Sequence, residues 1–136
     1  MRVFAVFSAV AMLSACVANT VPAQNATLVQ KSTWRTENFR EPGVNTGLLI
    51  INRDTGMRGS ACIPLILLNG EQVAPINVGQ RLELHLTAGR HSLRAFPNRN
   101  CAANATEISV EIGEAQTTTY RLGFANRDMI FTPTAS

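Results

Sequence analysis

Few side chains in this sequence are of a type and spacing that could do chemistry. The histidines are His85 and His91. A metal pair would need both on one face. If Leu82, Leu84, Leu86, Leu93 and Ala95 face the core of a hairpin, the two-residue strand period sends His85 outward and leaves His91 on the leucine side. His91 therefore reads as a turn-flanking residue that hydrogen-bonds locally, and His85 as a solvent-facing one. Glu107 and Glu111 share a strand face about 13 Å apart. Glycosidase carboxylate pairs need roughly 5–9.5 Å, so these two read as a solvated face opposite Ile108, Val110 and Ile112. Gly59-Ser60-Ala61 lacks the second glycine and the strand-to-helix elbow of a hydrolase nucleophile. Asn25-Ala26-Thr27 and Asn104-Ala105-Thr106 match a glycosylation sequon by chance.

The amino terminus carries a different chemistry. Arg2 is followed by Val3 to Leu13, a run apolar except for Ser8. It is too short to span a bilayer, which takes about 20 apolar residues, and it has the form of a signal-peptide core. Leu13-Ser14-Ala15-Cys16 resembles the lipobox of bacterial lipoproteins. The resemblance implies cleavage after residue 15, diacylglycerol on the Cys16 sulfur, acylation of the new amine, and membrane attachment through Cys16. In the sorting rule that comes with it, Val17 instead of aspartate favours the outer membrane, facing the periplasm. The rival reading is an ordinary secretory signal whose cleavage site happens to hold a cysteine.

With Cys16 assigned to lipid, Cys62 and Cys101 are an even pair in an oxidising compartment, and a disulfide between them is expected. It would close a loop of about 40 residues and contribute roughly 3–4 kcal/mol in the chain-entropy model. The rivals are a metal site and a reactive thiol. Two cysteines without a second pair are too few for structural zinc, and no C-x-x-C is present.

These residues need a scaffold, and the rest of the 136-residue chain reads as one. Residues 16–45 follow the signal as a tether. Pro22 and Pro42-Gly43 punctuate it, and Trp34 and Phe39 are read as packing onto the domain edge more than as a ligand platform. From Thr46 short strands alternate with turns. Gly47 to Ile51 and Ile63 to Leu68 are dense apolar runs. Asn69-Gly70 is a strong hairpin signal, since both positions need positive φ. Glu71 to Ile76 returns. Arg81 to Leu86 and Glu107 to Ile112 alternate, Thr117 to Phe124 is β-prone, and Met129 to Phe131 closes the set. Pro64 and Pro75 belong at strand starts, edges or bulges. Seven to eight strands over 46–136 predict a small all-β domain, an antiparallel β-sandwich.

Leu67 to Ala74 followed by Leu86-Thr87-Ala88-Gly89-Arg90-His91-Ser92-Leu93 resembles a PEGA-type module, a small surface β-sandwich. The similarity covers about residues 60–96, with Arg58-Gly59-Ser60-Ala61 where the eponymous Pro-Glu-Gly-Ala would stand. It implies a structural or binding role and brings no catalytic residues.

Composition agrees with a folded domain. Hydrophobic residues are 46% and charged residues 15%, which excludes a charge-rich disordered chain. Without Arg2 there remain 11 basic against 9 acidic side chains. The arginines are scattered, so no nucleic-acid surface is expected. The expected function is a non-enzymatic, envelope-facing lipoprotein that binds a partner or stabilises an assembly, with no cofactor and no metal. The alternatives are an accessory lipoprotein of a secretion or conjugation machine, and a periplasmic enzyme or enzyme inhibitor. In the last case loop residues such as Arg53, Asp54, Arg58, Arg99 and Asp128 would form the site.

Overall fold

The computed structural model describes residues 26–55 and 61–134. They form nine strands: β1 (Thr27–Leu28), β2 (Thr46–Arg53), β3 (Leu65–Leu68), β4 (Glu71–Pro75), β5 (Gln80–Thr87), β6 (Gly89–Phe96), β7 (Thr106–Ile112), β8 (Thr117–Ala125) and β9 (Asp128–Thr134). One 3-10 turn, Lys31–Thr33, is the only helical element among the described residues. The strands make a five-stranded sheet, β1-β5-β2-β8-β9, and a four-stranded sheet, β4-β3-β6-β7. The fold is all-β and sandwich-like.

The core is what strand alternation dictates. Leu49 and Ile51 from β2, Leu82, Leu84 and Leu86 from β5, and Leu122 from β8 are buried. The other sheet supplies Ile66, Leu68, Leu93, Ala95, Val110 and Ile112. Asn69 and Gly70 take φ of 51° and 81°, so the β3–β4 turn is the left-handed kind that Asn-Gly favours. A register shift between Ile66 and Leu67 marks a bulge in this hairpin. It lets Val73 and Ala74 both be buried on β4. At Gly47 a Cβ would collide with the Gly113 carbonyl oxygen. Only glycine lets β2 lie this close to the turn that leads into β8.

Three expectations are corrected. The sandwich is not wholly antiparallel: β1 pairs with β5, and β2 with β8, in parallel. The eight strands β2 to β9 meet the expected seven to eight over 46–136, and the two-residue β1 adds a ninth outside that range on the edge of β5. The Leu82–Leu86 and Leu93–Ala95 strands are not one hairpin. Ala88 and Gly89 instead turn a corner, with Gly89 at φ 125°, and carry the chain from one sheet to the other. Both layouts bury the same leucines, which is why the alternation did not separate them.

The third correction concerns the tether expected over 16–45, whose described part, residues 26–45, is not free of the domain. These residues form a strap bonded to the domain. The Thr27 and Val29 amides donate to the Gly79 and Arg81 carbonyls at 3.1 and 2.9 Å, and the His85 amide donates to the Phe39 carbonyl at 2.9 Å. Farther along, the Ala88 amide donates to the Asn45 carbonyl at 2.8 Å. The strap thus occupies the outer edge of β5. Between these contacts it crosses to the other sheet, where the Arg35 amide donates to the Val73 carbonyl of β4 at 2.7 Å. Thr36 Oγ1 and Asn38 Nδ2 donate to the Glu71 carboxylate at 2.6 and 2.9 Å. Val29 is buried, and Trp34 and Phe39 pack against the core.

Candidate functional site

Cys62 lies just before β3, and Cys101 lies in the loop between β6 and β7. Their Cα atoms are 4.5 Å apart, within the range a disulfide needs, and the sulfurs are at bonding distance. The pair ties the start of the β3–β4 hairpin to a loop that reaches the other sheet. In that loop the Asn104 amide donates to the Arg127 carbonyl at 2.8 Å, and Asn104 Nδ2 donates to Asp128 Oδ1 at 3.0 Å. A cavity of about 390 Å³ opens beside the disulfide, walled by Ala103, Phe124 and Arg127. Cys16, Arg58 and Ser60 lie outside the described residues.

The histidines separate as strand period requires. His91 sits where β6 faces β3. Its Nε2 donates to the Thr87 carbonyl at 2.7 Å, and its Nδ1 accepts from Asn69 Nδ2 at 2.9 Å. Asn69 Oδ1 in turn accepts from the Ser92 amide at 2.9 Å. His91 therefore braces the Asn-Gly turn against the β5–β6 corner. His85 points to the outer side of its sheet, but the expectation of a solvent-facing ring is corrected. It is half-buried, because the strap folds over it. It shares a 210 Å³ cleft with Trp34, Arg40 and Glu41. Arg40 lies over the Trp34 ring at 5.5 Å, and Lys31 pairs with Glu41 at 3.0 Å, which holds the Glu41 carboxyl below its ordinary range.

The loop residues named as a possible enzyme site do different work. Arg53 is the last residue of β2 and continues the inward series Leu49, Ile51. It is 2% exposed. Its Nη1 donates to the Ile76 carbonyl at 2.8 Å, and its guanidinium stacks 5.4 Å from the Phe124 ring centre. Desolvation lowers its pKa, and an arginine stays charged in proteins at neutral pH. Asp54 pairs with Arg121 at 3.2 Å; burial pushes its carboxyl up, and Arg121 partly offsets this. Asp128 is held by Asn104. Arg99 lies on the other sheet's side, in the groove described next. Glu111 accepts from Arg90 Nε at 2.9 Å, and Glu107 accepts from Ser92 Oγ. Both are exposed, the solvated face expected of them. Among the described residues no group of three or more His, Cys, Asp or Glu could hold a metal ion.

The outer face of the four-stranded sheet carries a feature that sequence reasoning missed. Leu65 of β3 stands opposite Pro75 of β4 and Phe96 of β6, making one apolar row across three strands. Phe96 is 48% exposed, and Ile63 beside it is 38% exposed. The row floors an open groove of about 440 Å³ bounded by Arg35 from the strap and Arg99 from the loop after β6. Arg35 Nη1 donates to Gln72 Oε1 at 3.0 Å, and Arg94 lies 5.3 Å over the Phe96 ring. The signal in the sequence was Ile63 to Leu68, apolar on both strand faces.

No family model, no curated protein and no solved structure matches this chain.

Proposed function

We propose that the chain is a lipid-anchored lipoprotein of the bacterial envelope, held by acyl chains on Cys16, whose β-domain has a binding or structural role and not a catalytic one. The observation that carries this reading is the Cys62–Cys101 pair. Its Cα separation of 4.5 Å is that of a disulfide, and a structural disulfide belongs in an oxidising compartment. A chain beginning with an export signal and a lipobox is sent to such a compartment, so two independent features agree. The resemblance of residues 60–96 to PEGA-type modules points the same way. It is supported by the β3–β4 hairpin and its Asn69-Gly70 turn. His91, Arg53, Asp54 and Asp128 are engaged in holding turns, edges and the sandwich end, which suits a scaffold for a partner.

The test is Cys16→Ser, expressed beside the wild type with radiolabelled palmitate. Wild type is expected in the membrane fraction with label, and the variant unlabelled and released from the membrane. A variant that matures at the same position and stays in the membrane overturns the anchor. In the exported wild type Cys62 and Cys101 should resist alkylation until reductant is added; free thiols there overturn the compartment.

A further inference from the structure

We propose that the groove on the outer face of the four-stranded sheet binds an acidic, amphipathic peptide segment of a partner protein. It would present carboxylates on either side of a large apolar side chain. The site goes beyond the envelope reading and stands or falls independently of it.

The floor argues for an apolar contact. An antiparallel sheet with one free face normally alternates apolar inward and polar outward. β5 obeys this with Arg81, Glu83 and His85 between its leucines. β3 does not. Ile66 and Leu68 fill the core while Ile63, Leu65 and Leu67 face outward, as in a strand covered on both sides. Pro75 and Phe96 extend the row across the neighbouring strands. With strands about 4.8 Å apart the row is about 10 Å long, the reach of three extended residues.

The rim argues for the sign of the charge. Lys31, Arg40, Arg81, Arg90 and Arg121 each face a carboxylate, at 2.9 to 3.5 Å. Arg35, Arg94, Arg99 and Arg127 stand in no such ion pair among the described residues; Arg35 and Arg99 line the groove, and Arg94 lies over its Phe96 ring. No acidic residue lines it. Guanidinium groups at the border of an apolar floor offer bidentate bonds to carboxylates in a region of raised positive potential.

The shape and the strap select a peptide. The β4 edge is already closed by the Arg35 amide, so a ligand cannot add as a further strand there and must be read by its side chains. The groove is open along its length, and an alkyl chain lying in it would stay half in water. An amphipathic peptide keeps its polar side in solvent and its apolar side on Leu65 and Phe96.

The test uses the chain as expressed, from the soluble fraction or, if anchored, in phosphatidylcholine nanodiscs. A failure of the lipid anchor therefore leaves it intact. The probes are fluorescein-labelled nine-residue peptides in which Glu and Asp alternate with Leu, Ile and Phe in every order. Matched sets carry Lys for the acids or Ser for the apolar residues. Fluorescence anisotropy should give saturable sub-millimolar binding to acidic–apolar peptides only. Binding should fall about tenfold or more in Arg35→Glu/Arg99→Glu and in Phe96→Ser, as expected for losing charge-assisted bonds or a central aromatic, with unchanged circular dichroism. Three results would each overturn the proposal: no acidic–apolar peptide binds, Lys and Glu peptides bind alike, or the charge-reversed variant binds undiminished. Binding to phosphatidylglycerol vesicles in place of the peptides, abolished by the same variants, would make the groove a lipid-headgroup site and overturn it as well.

Discussion

The Arg35 amide donates to the Val73 carbonyl across 2.7 Å, six residues after the Val29 amide donates to the Arg81 carbonyl across 2.9 Å. One short segment therefore satisfies backbone groups on the edges of two different sheets. Open edges invite pairing with other chains. Here β5 and β4, on the same side of the sandwich, are both closed by the strap. Residues that sequence pattern assigns to a tether are part of what makes the sandwich a closed unit.

Trp34 is the side chain that seats this strap, packed on the core and under the Arg40 guanidinium. Full truncation of a buried aromatic costs about 3–5 kcal/mol, and this one is only half-buried, so Trp34→Ala should lose about 2 kcal/mol. Urea denaturation measures it. Limited proteolysis should cut the variant within 27–45 sooner than the wild type. An unchanged midpoint and an unchanged cleavage pattern would mean that the strap contributes nothing to stability.

Arg53 closes one end of the sandwich by bonding the Ile76 carbonyl and covering Phe124. Arg53→Ala removes a charge-assisted bond to a buried carbonyl and leaves a void, for a loss of about 3 kcal/mol. Arg127→Ala, at an exposed arginine, should change stability by less than about 0.5 kcal/mol. Equal effects of the two substitutions would refute the end-plug role.

The double variant Cys62→Ser/Cys101→Ser removes a link between residues 39 positions apart. The chain-entropy model gives a loss of about 3–4 kcal/mol. The melting temperature should drop while peptide binding at the groove persists at temperatures where the variant is folded. Loss of binding by a folded double variant would show that the disulfide shapes the groove directly.

Asp54 gives a pH dependence with a definite sign. Burial raises its folded-state pKa above the ordinary 3.8, against a smaller lowering by Arg121. The folded state therefore holds this proton more tightly than the unfolded chain, and the contribution falls as pH rises from 3.8 through the raised value, then levels off. Asp54→Asn lacks this loss. Across that window the stability difference should move in favour of the variant, measured by urea midpoints between pH 3 and pH 7. Movement toward the wild type would reverse the assignment.

What the sequence revealed and what it hid divide along a physical line. Side-chain alternation exposed β5 and β7, and the positive-φ requirement exposed the turn at Asn69 and Gly70. β1 was hidden because two strand residues are too few to show a side-chain period. The corner at Ala88 and Gly89 was hidden because crossing between sheets and turning back within one sheet bury the same leucines. Arg53 could have been placed, since it continues the inward period of Leu49 and Ile51; its charge drew it into the loops instead. The groove draws on Arg35, Ile63, Leu65, Pro75 and Phe96 to Arg99. Segments this far apart meet only in three dimensions, so no motif announces them.

The parallel pairing of β2 with β8 sets a timetable for the chain. Leu48 to Arg53 find their partners in Thr117 to Leu122, after nearly all of the domain has been made. Pairings so distant in sequence must close a long loop before any contact rewards it, and they form slowly. A chain delivered amino terminus first carries Leu48-Leu49-Ile50-Ile51 with an unclaimed edge throughout that interval, the kind of segment that seeds aggregation. Whatever shields this strand between its emergence and the arrival of β8 governs how much of the protein reaches its folded form.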